Sequence, residues 1–155
     1  MRGGGGASNV DVKGLAKKLG VDNQVAFFGN LGGNALRGVF QACDVFCLPS
    51  RHDQFGIAEG FPTVLAEAMA FGKPVITSRH VEIPRIIDEI LVEENDVHGL
   101  ALALDAAYQS KALRDQLGKK NREIAEKLFS VKNAEKTFQV LEELSTTKKG
   151  SSSEK

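Results

Sequence analysis

Four short, unbroken apolar runs, each set off from the next by a helical pattern, constrain this chain more than any other feature. They are Val25–Phe28, Asp44–Leu48, Val75–Thr77 and the weaker Ile90–Val92. A strand with one solvated face alternates apolar and polar residues. A continuous run instead suits a parallel strand covered on both faces. Between the runs lie helix patterns at Val12–Leu19, Asn34–Ala42 and Thr63–Phe71. Gly20 stops the first, Asn34 can cap the second, and Pro62 and Gly72 bracket the third. The alternation predicts an α/β chain with a doubly wound, Rossmann-like parallel sheet of about four strands. Three further helices are predicted at Val97–Tyr108, Ser110–Leu128 and Asn133–Leu144. Leu113, Leu117, Ile124 and Leu128 recur at helical spacing, as do Ala134, Phe138 and Leu141, so these helices should pack on the sheet.

The ends read differently. Residues 1–10 hold a glycine run with nothing to bury and suggest a linker or scar. Residues 146–155, rich in Lys, Gly and Ser, suggest a disordered tail. The expected folded unit is 11–145. Twenty basic residues balance twenty acidic ones, which argues against a nucleic-acid partner. No apolar run approaches the roughly 20 residues of a membrane span, and residues 1–10 lack a signal-like apolar stretch. Cys43 and Cys47 are too few for a disulfide framework or a zinc site and read as small buried residues. A cytoplasmic location is expected.

Chemistry is expected beyond the carboxyl ends of the strands. The long loop from Pro49 to Pro62 leads straight into a helix. Gly60 allows close backbone approach to a ligand. The first-turn N–H groups of Thr63, Val64 and Leu65 lack intrahelical acceptors, and with the helix dipole they form an anion site suited to a diphosphate. Glu67 leans back toward that site and can accept from a vicinal diol such as a ribose. Glu59, before the helix, could reach a second polyol. His52, Asp53 and His80 are tempting, but the simpler reading of each is a residue without a ligand. Lys73, at the far end of the helix from any phosphate, reads as structural.

The segment Glu59-Gly-Phe-Pro-Thr-Val-Leu-Ala-Glu67 resembles the E-x7-E motif of retaining GT-B glycosyltransferases, most closely the group 1 glycosyl transferases. Val25-Ala-Phe-Phe-Gly29 and Ala42-Cys-Asp-Val-Phe-Cys-Leu-Pro-Ser50 are similar to two strand motifs of that family, and Ile83-Pro84 follows in order. The likeness runs from about Val12 to Leu144. It implies that Glu67 binds the donor ribose and that Glu59 contacts the donor sugar and is important for transfer. It implies that Gly60, Phe61, Thr63 and Val64 meet sugar and diphosphate, and that Gly29, Asn30 and Leu31 lie near the base. It further implies a nucleoside-diphosphate-sugar as donor, an acceptor hydroxyl, no cofactor and no metal.

Some features depart from the family. The earlier β–α units, with an arginine and a lysine for the diphosphate, are not recognisable, nor is an N-terminal acceptor domain. Val81-Glu82 stands where two glycines are usual, and Arg85 where glutamate is usual. The chain is therefore expected to be the later part of a donor domain, inactive by itself. It would be completed by a missing acceptor domain or a companion chain, with peripheral membrane association of the parent enzyme and self-association through an open sheet edge as further expectations. The alternative is a non-catalytic nucleotide-binding module that pairs with another chain.

Overall fold

A computed structural model describes residues 11–53, 55, 56, 58 and 60–150. The chain divides into two units, residues 1–36 and 37–155.

In the first unit Asp11 caps α1 (Val12–Lys18) by accepting from the Gly14 N–H at 2.9 Å. The predicted strand Val25–Phe28 is not one: it joins no ladder among the described residues. Its side chains are largely exposed, Phe28 at 63 %, so the run lacks the two-sided cover a parallel strand needs. Gly29 turns the chain at φ 67°, in the left-handed region that suits glycine. Helix α2 (Gly33–Ala42) starts one residue before Asn34, which is therefore helical rather than a cap.

The second unit holds the sheet. Strands β1 (Phe46–Leu48), β2 (Val75–Ser78) and β3 (Leu91–Val92) lie in that order, all parallel. Phe46, Cys47 and Leu48 sit opposite Val75, Ile76 and Thr77, and Thr77 and Ser78 sit opposite Leu91 and Val92. The architecture is thus the expected α/β sheet, with three strands among the described residues rather than four. Central β2 is buried along its whole length, which is what an unbroken apolar run foretells. Contrary to expectation, Cys43 is half-buried and Cys47, in the edge strand β1, is exposed.

Helix α3 (Thr63–Ala70) packs Leu65, Ala68 and Met69 into the core with Ile76, Ile83 and Ile87. Each such large side chain contributes about 1.5–3 kcal/mol. Helices α4 (Val97–Gln109) and α5 (Lys111–Leu128) begin at side-chain caps. Asp96 accepts from the Gly99 N–H and Ser110 from the Leu113 N–H. Helix α5 is stitched to the turn after α3. The Asn121 side chain donates to the Lys73 carbonyl at 2.9 Å, Arg122 donates to the Ala70 carbonyl, and Gly118 lies against Gly72. Lys73 is structural as expected, its ammonium donating to the Gln41 and Cys43 carbonyls at the end of α2.

Helix α6 (Val131–Gly150) extends past Leu144 to Gly150, since no breaker intervenes. Residues 146–150 of the expected tail are therefore helical, whereas 1–10 and 151–155 lie outside the described residues. Phe138 and Leu141 stay exposed, so the apolar positions of α6 do not pack on the sheet as expected. No described helix is long and apolar enough to cross a membrane.

Candidate functional site

The start of α3 lies beyond the carboxyl end of β1, where the loop from Pro49 delivers it. Helices α1, α4 and α5 fill their first turns with an Asp or Ser side chain, but α3 begins at Pro62, which offers no capping side chain. The N–H groups of Thr63 and Val64 have no acceptor among the described residues. Leu65 differs from expectation: its N–H donates to the Pro62 carbonyl at 3.0 Å, a tightened first turn that removes one donor from the anion site. Two donors remain, aligned with the positive end of the helix dipole.

Glu67 follows Thr63 by four residues and shares its face, so both are exposed while Leu65, Ala68 and Met69 point inward. Phe61, Thr63, Ala66, Glu67, Ala70 and Phe129 line a cleft of about 430 Å³. One wall is aromatic: the Phe61 and Phe129 rings stack with centroids 5.3 Å apart. Phe129 had no local signal in the sequence; it reaches the cleft because α5 ends there. Gly60 is exposed, and among the described residues a Cβ there would meet only Glu82 Cγ, at 3.9 Å. Glu59 lies outside the described residues. Gly29, Asn30 and Leu31 belong to the first unit, where Gly29 and Leu31 line a separate cleft of about 710 Å³ with Phe27, Phe28, Lys13 and Leu36.

The turn after β2 explains the unusual residues there. Val81 has φ 40°, a region that costs a β-branched residue on the order of 1–3 kcal/mol and that glycine enters freely. Glu82 and Arg85 neutralise each other at 2.9 Å.

A second group of residues converges at the same end of the sheet. His52 follows β1, His80 follows β2, and Glu94 follows β3. Glu94 Oε1 lies 2.6 Å from His80 Nδ1 and 2.9 Å from His52 Nδ1, and Oε2 accepts from the His52 backbone N–H at 3.0 Å. The His80 bond, then the two from His52, hold the Glu94 carboxyl down at about 2. An ionised carboxylate only accepts, so each ring carries its proton on Nδ1. His80 is 1 % exposed and His52 half exposed, their rings edge to face at 4.8 Å. Two imidazoles and a carboxylate are ligand types for a zinc-class ion. Here, however, the nitrogens stand at hydrogen-bond distance from the oxygen, nearer than the roughly 3.3 Å that tetrahedral ligands require. Sequence reasoning set both histidines aside and missed Glu94.

The parallel sheet, the helix delivered to its carboxyl edge and the cleft beside that helix make this an α/β protein with an open cleft at the carboxyl edge of its sheet. Residues 3–124 match the model of the family described as glycosyl transferases group 1, and the chain belongs to that family. It is 32% identical over 117 residues to a D-inositol 3-phosphate glycosyltransferase of Saccharomonospora viridis, covering 73% of this chain and 26% of the relative. It is 34% identical over 99 residues to a putative colanic acid biosynthesis glycosyltransferase, WcaL, of Escherichia coli, covering 61% of this chain and 24% of that one. Among solved structures it resembles sucrose-phosphate synthase from Thermosynechococcus elongatus, with a TM-score of 0.74 and 28% identity over 88% of this chain and 34% of that chain. The chain thus spans about a quarter to a third of the length of these proteins.

Proposed function

We propose that the chain is the donor-binding part of a glycosyltransferase that moves a sugar from a nucleoside-diphosphate-sugar to an acceptor hydroxyl with retention. The diphosphate sits at the start of α3, on the N–H groups of Thr63 and Val64. Glu67 holds the ribose diol, and Glu59 acts at the sugar. The observation that carries this reading is the uncapped first turn of α3 with Glu67 one turn further on, facing an open cleft. A helix that leaves its N–H groups unfilled at a strand's carboxyl end is suited to an anion, and a carboxylate beside it to a diol. The chemistry asked of the protein is to position the donor and to stabilise the leaving diphosphate. Acceptor binding, and further positive charge on the diphosphate, come from the rest of the enzyme or a companion chain.

Calorimetry with uridine and guanosine diphosphates on the wild-type chain and Glu67→Ala tests the assignment. Loss of two hydrogen bonds to a charged acceptor should weaken binding by about a hundredfold or more, at about 1.5–3 kcal/mol per bond. Equal affinity in the two proteins would remove Glu67 from the site.

A further inference from the structure

We propose that Glu94 is a positioning residue of the donor site: through His52 and His80 it holds the two backbone segments that border the start of α3. The proposal rests on the donor-site reading above for what is positioned, but its geometry stands independently.

At the carboxyl ends of β1 and β2, side-chain ties from the last two residues of β2 join the two chains in steps. The Thr77 hydroxyl donates to the Leu48 carbonyl at 2.7 Å, and the Ser78 hydroxyl donates to the Ser50 carbonyl. One step further on, the His52 and His80 rings meet edge to face with centroids 4.8 Å apart. There Glu94 joins them from the third strand, accepting from His52 twice and from His80 once. Each segment then runs into the site. The chain from His52 leads through the loop to Gly60, Phe61 and Thr63. The chain from His80 leads into the Val81–Glu82 turn, locked by the Ile83 N–H on the His80 carbonyl at 2.9 Å, and Glu82 stands beside Gly60. Val81 is strained at φ 40°, so that turn needs an external hold to persist. A buried imidazole bonded to an ionised carboxylate supplies one.

Glu94→Ala and Glu94→Gln in the full chain test this. Amide exchange without ligand is the first measurement. In Glu94→Ala the bonded amides of the two segments, Gly56 on the Asp53 carbonyl, Leu65 on the Pro62 carbonyl and Ile83 on the His80 carbonyl, should exchange about tenfold faster or more, because releasing even one or two ordered residues carries that factor. Gln keeps one acceptor oxygen and should restore part of the protection, while Leu117 and Asn121 in α5 stay as in wild type. No change at Gly56, Leu65 and Ile83, or equal loosening of α5, would overturn the proposal. If Glu94→Ala does not fold, His52→Ala removes the ring bond of the loop arm while the backbone N–H bond stays, and should loosen Gly56 and Leu65 in part while sparing Ile83; unaltered Gly56 and Leu65 also overturn it. Binding of uridine diphosphate, measured below both melting transitions, should be about tenfold weaker in Glu94→Ala. Wild type that binds, with a variant that binds equally well, refutes the positioning role. Wild type that does not bind refutes the donor-site reading, and amide exchange still decides the role of Glu94. Stoichiometric zinc that moves the His52 and His80 ring resonances would make the cluster a metal site and overturn the proposal.

Discussion

Gly118→Ala puts two opposing effects into one measurement. Gly118 lies near the middle of α5 and is buried. In an exposed helix, alanine in place of glycine stabilises by about 1 kcal/mol. Here the added Cβ would stand 2.2 Å from the Gly72 carbonyl oxygen and 3.2 Å from its carbon. Relief requires α5 to recede from the turn by about 1 Å. That motion is opposed, because Asn121 and Arg122, one turn along, bond the Lys73 and Ala70 carbonyls on the same side. Overpacking of this sort costs about 1–3 kcal/mol, and stretching the Asn121 bond costs about 1 more. The net expected loss is about 1–3 kcal/mol after the gain in helix propensity. In a chain of this size that lowers the melting temperature by about 4 °C per kcal/mol. Thermal unfolding followed by circular dichroism reads it. A variant as stable as wild type, or more stable, would refute the close α3–α5 packing at the far end of α3.

Two further outcomes follow from the same geometry. Val81→Gly should stabilise the chain by about 1 kcal/mol in urea unfolding, because relief of strain exceeds the extra unfolded-state freedom of glycine; a destabilised variant would contradict the φ at that turn. The Glu94 carboxyl titrates at about 2 when folded against 4.5 ordinarily, through its bonds to His80 and His52. A lowered carboxylate pKa gives stability that is fully present above pH 4.5 and fades as pH falls through about 2. The stability gap between wild type and Glu94→Gln should therefore narrow as pH falls from 4.5 through about 2; a gap unchanged at pH 2 would show that the carboxylate is not held this way.

What was legible in the sequence was what local chemistry decides. Pro62 and Gly72 bracket α3, and the continuous run at Val75 marks the buried central strand. The run at Val25–Phe28 looked the same but forms no ladder, since an apolar run specifies a strand only when neighbours stand on both sides. Leu65 was expected among the free donors, yet its N–H turns to Pro62, a detail of first-turn geometry that no residue type dictates. The Glu94 cluster was invisible for a different reason. Its members lie 28 and 14 residues apart along the chain, on three separate loops that only the parallel register brings together. Phe129 joins Phe61 in the same way, by where a helix happens to end.

The central claim is that a nucleoside diphosphate binds at the start of α3. Titrating the 15N-labelled chain with uridine or guanosine diphosphate, and following amide shifts residue by residue, tests it most directly. The expected result is a saturable set of changes centred on Gly60 to Glu67, largest at Thr63 and Val64. Shifts clustered instead on α4 and α5, with Thr63 and Val64 unmoved, would contradict it.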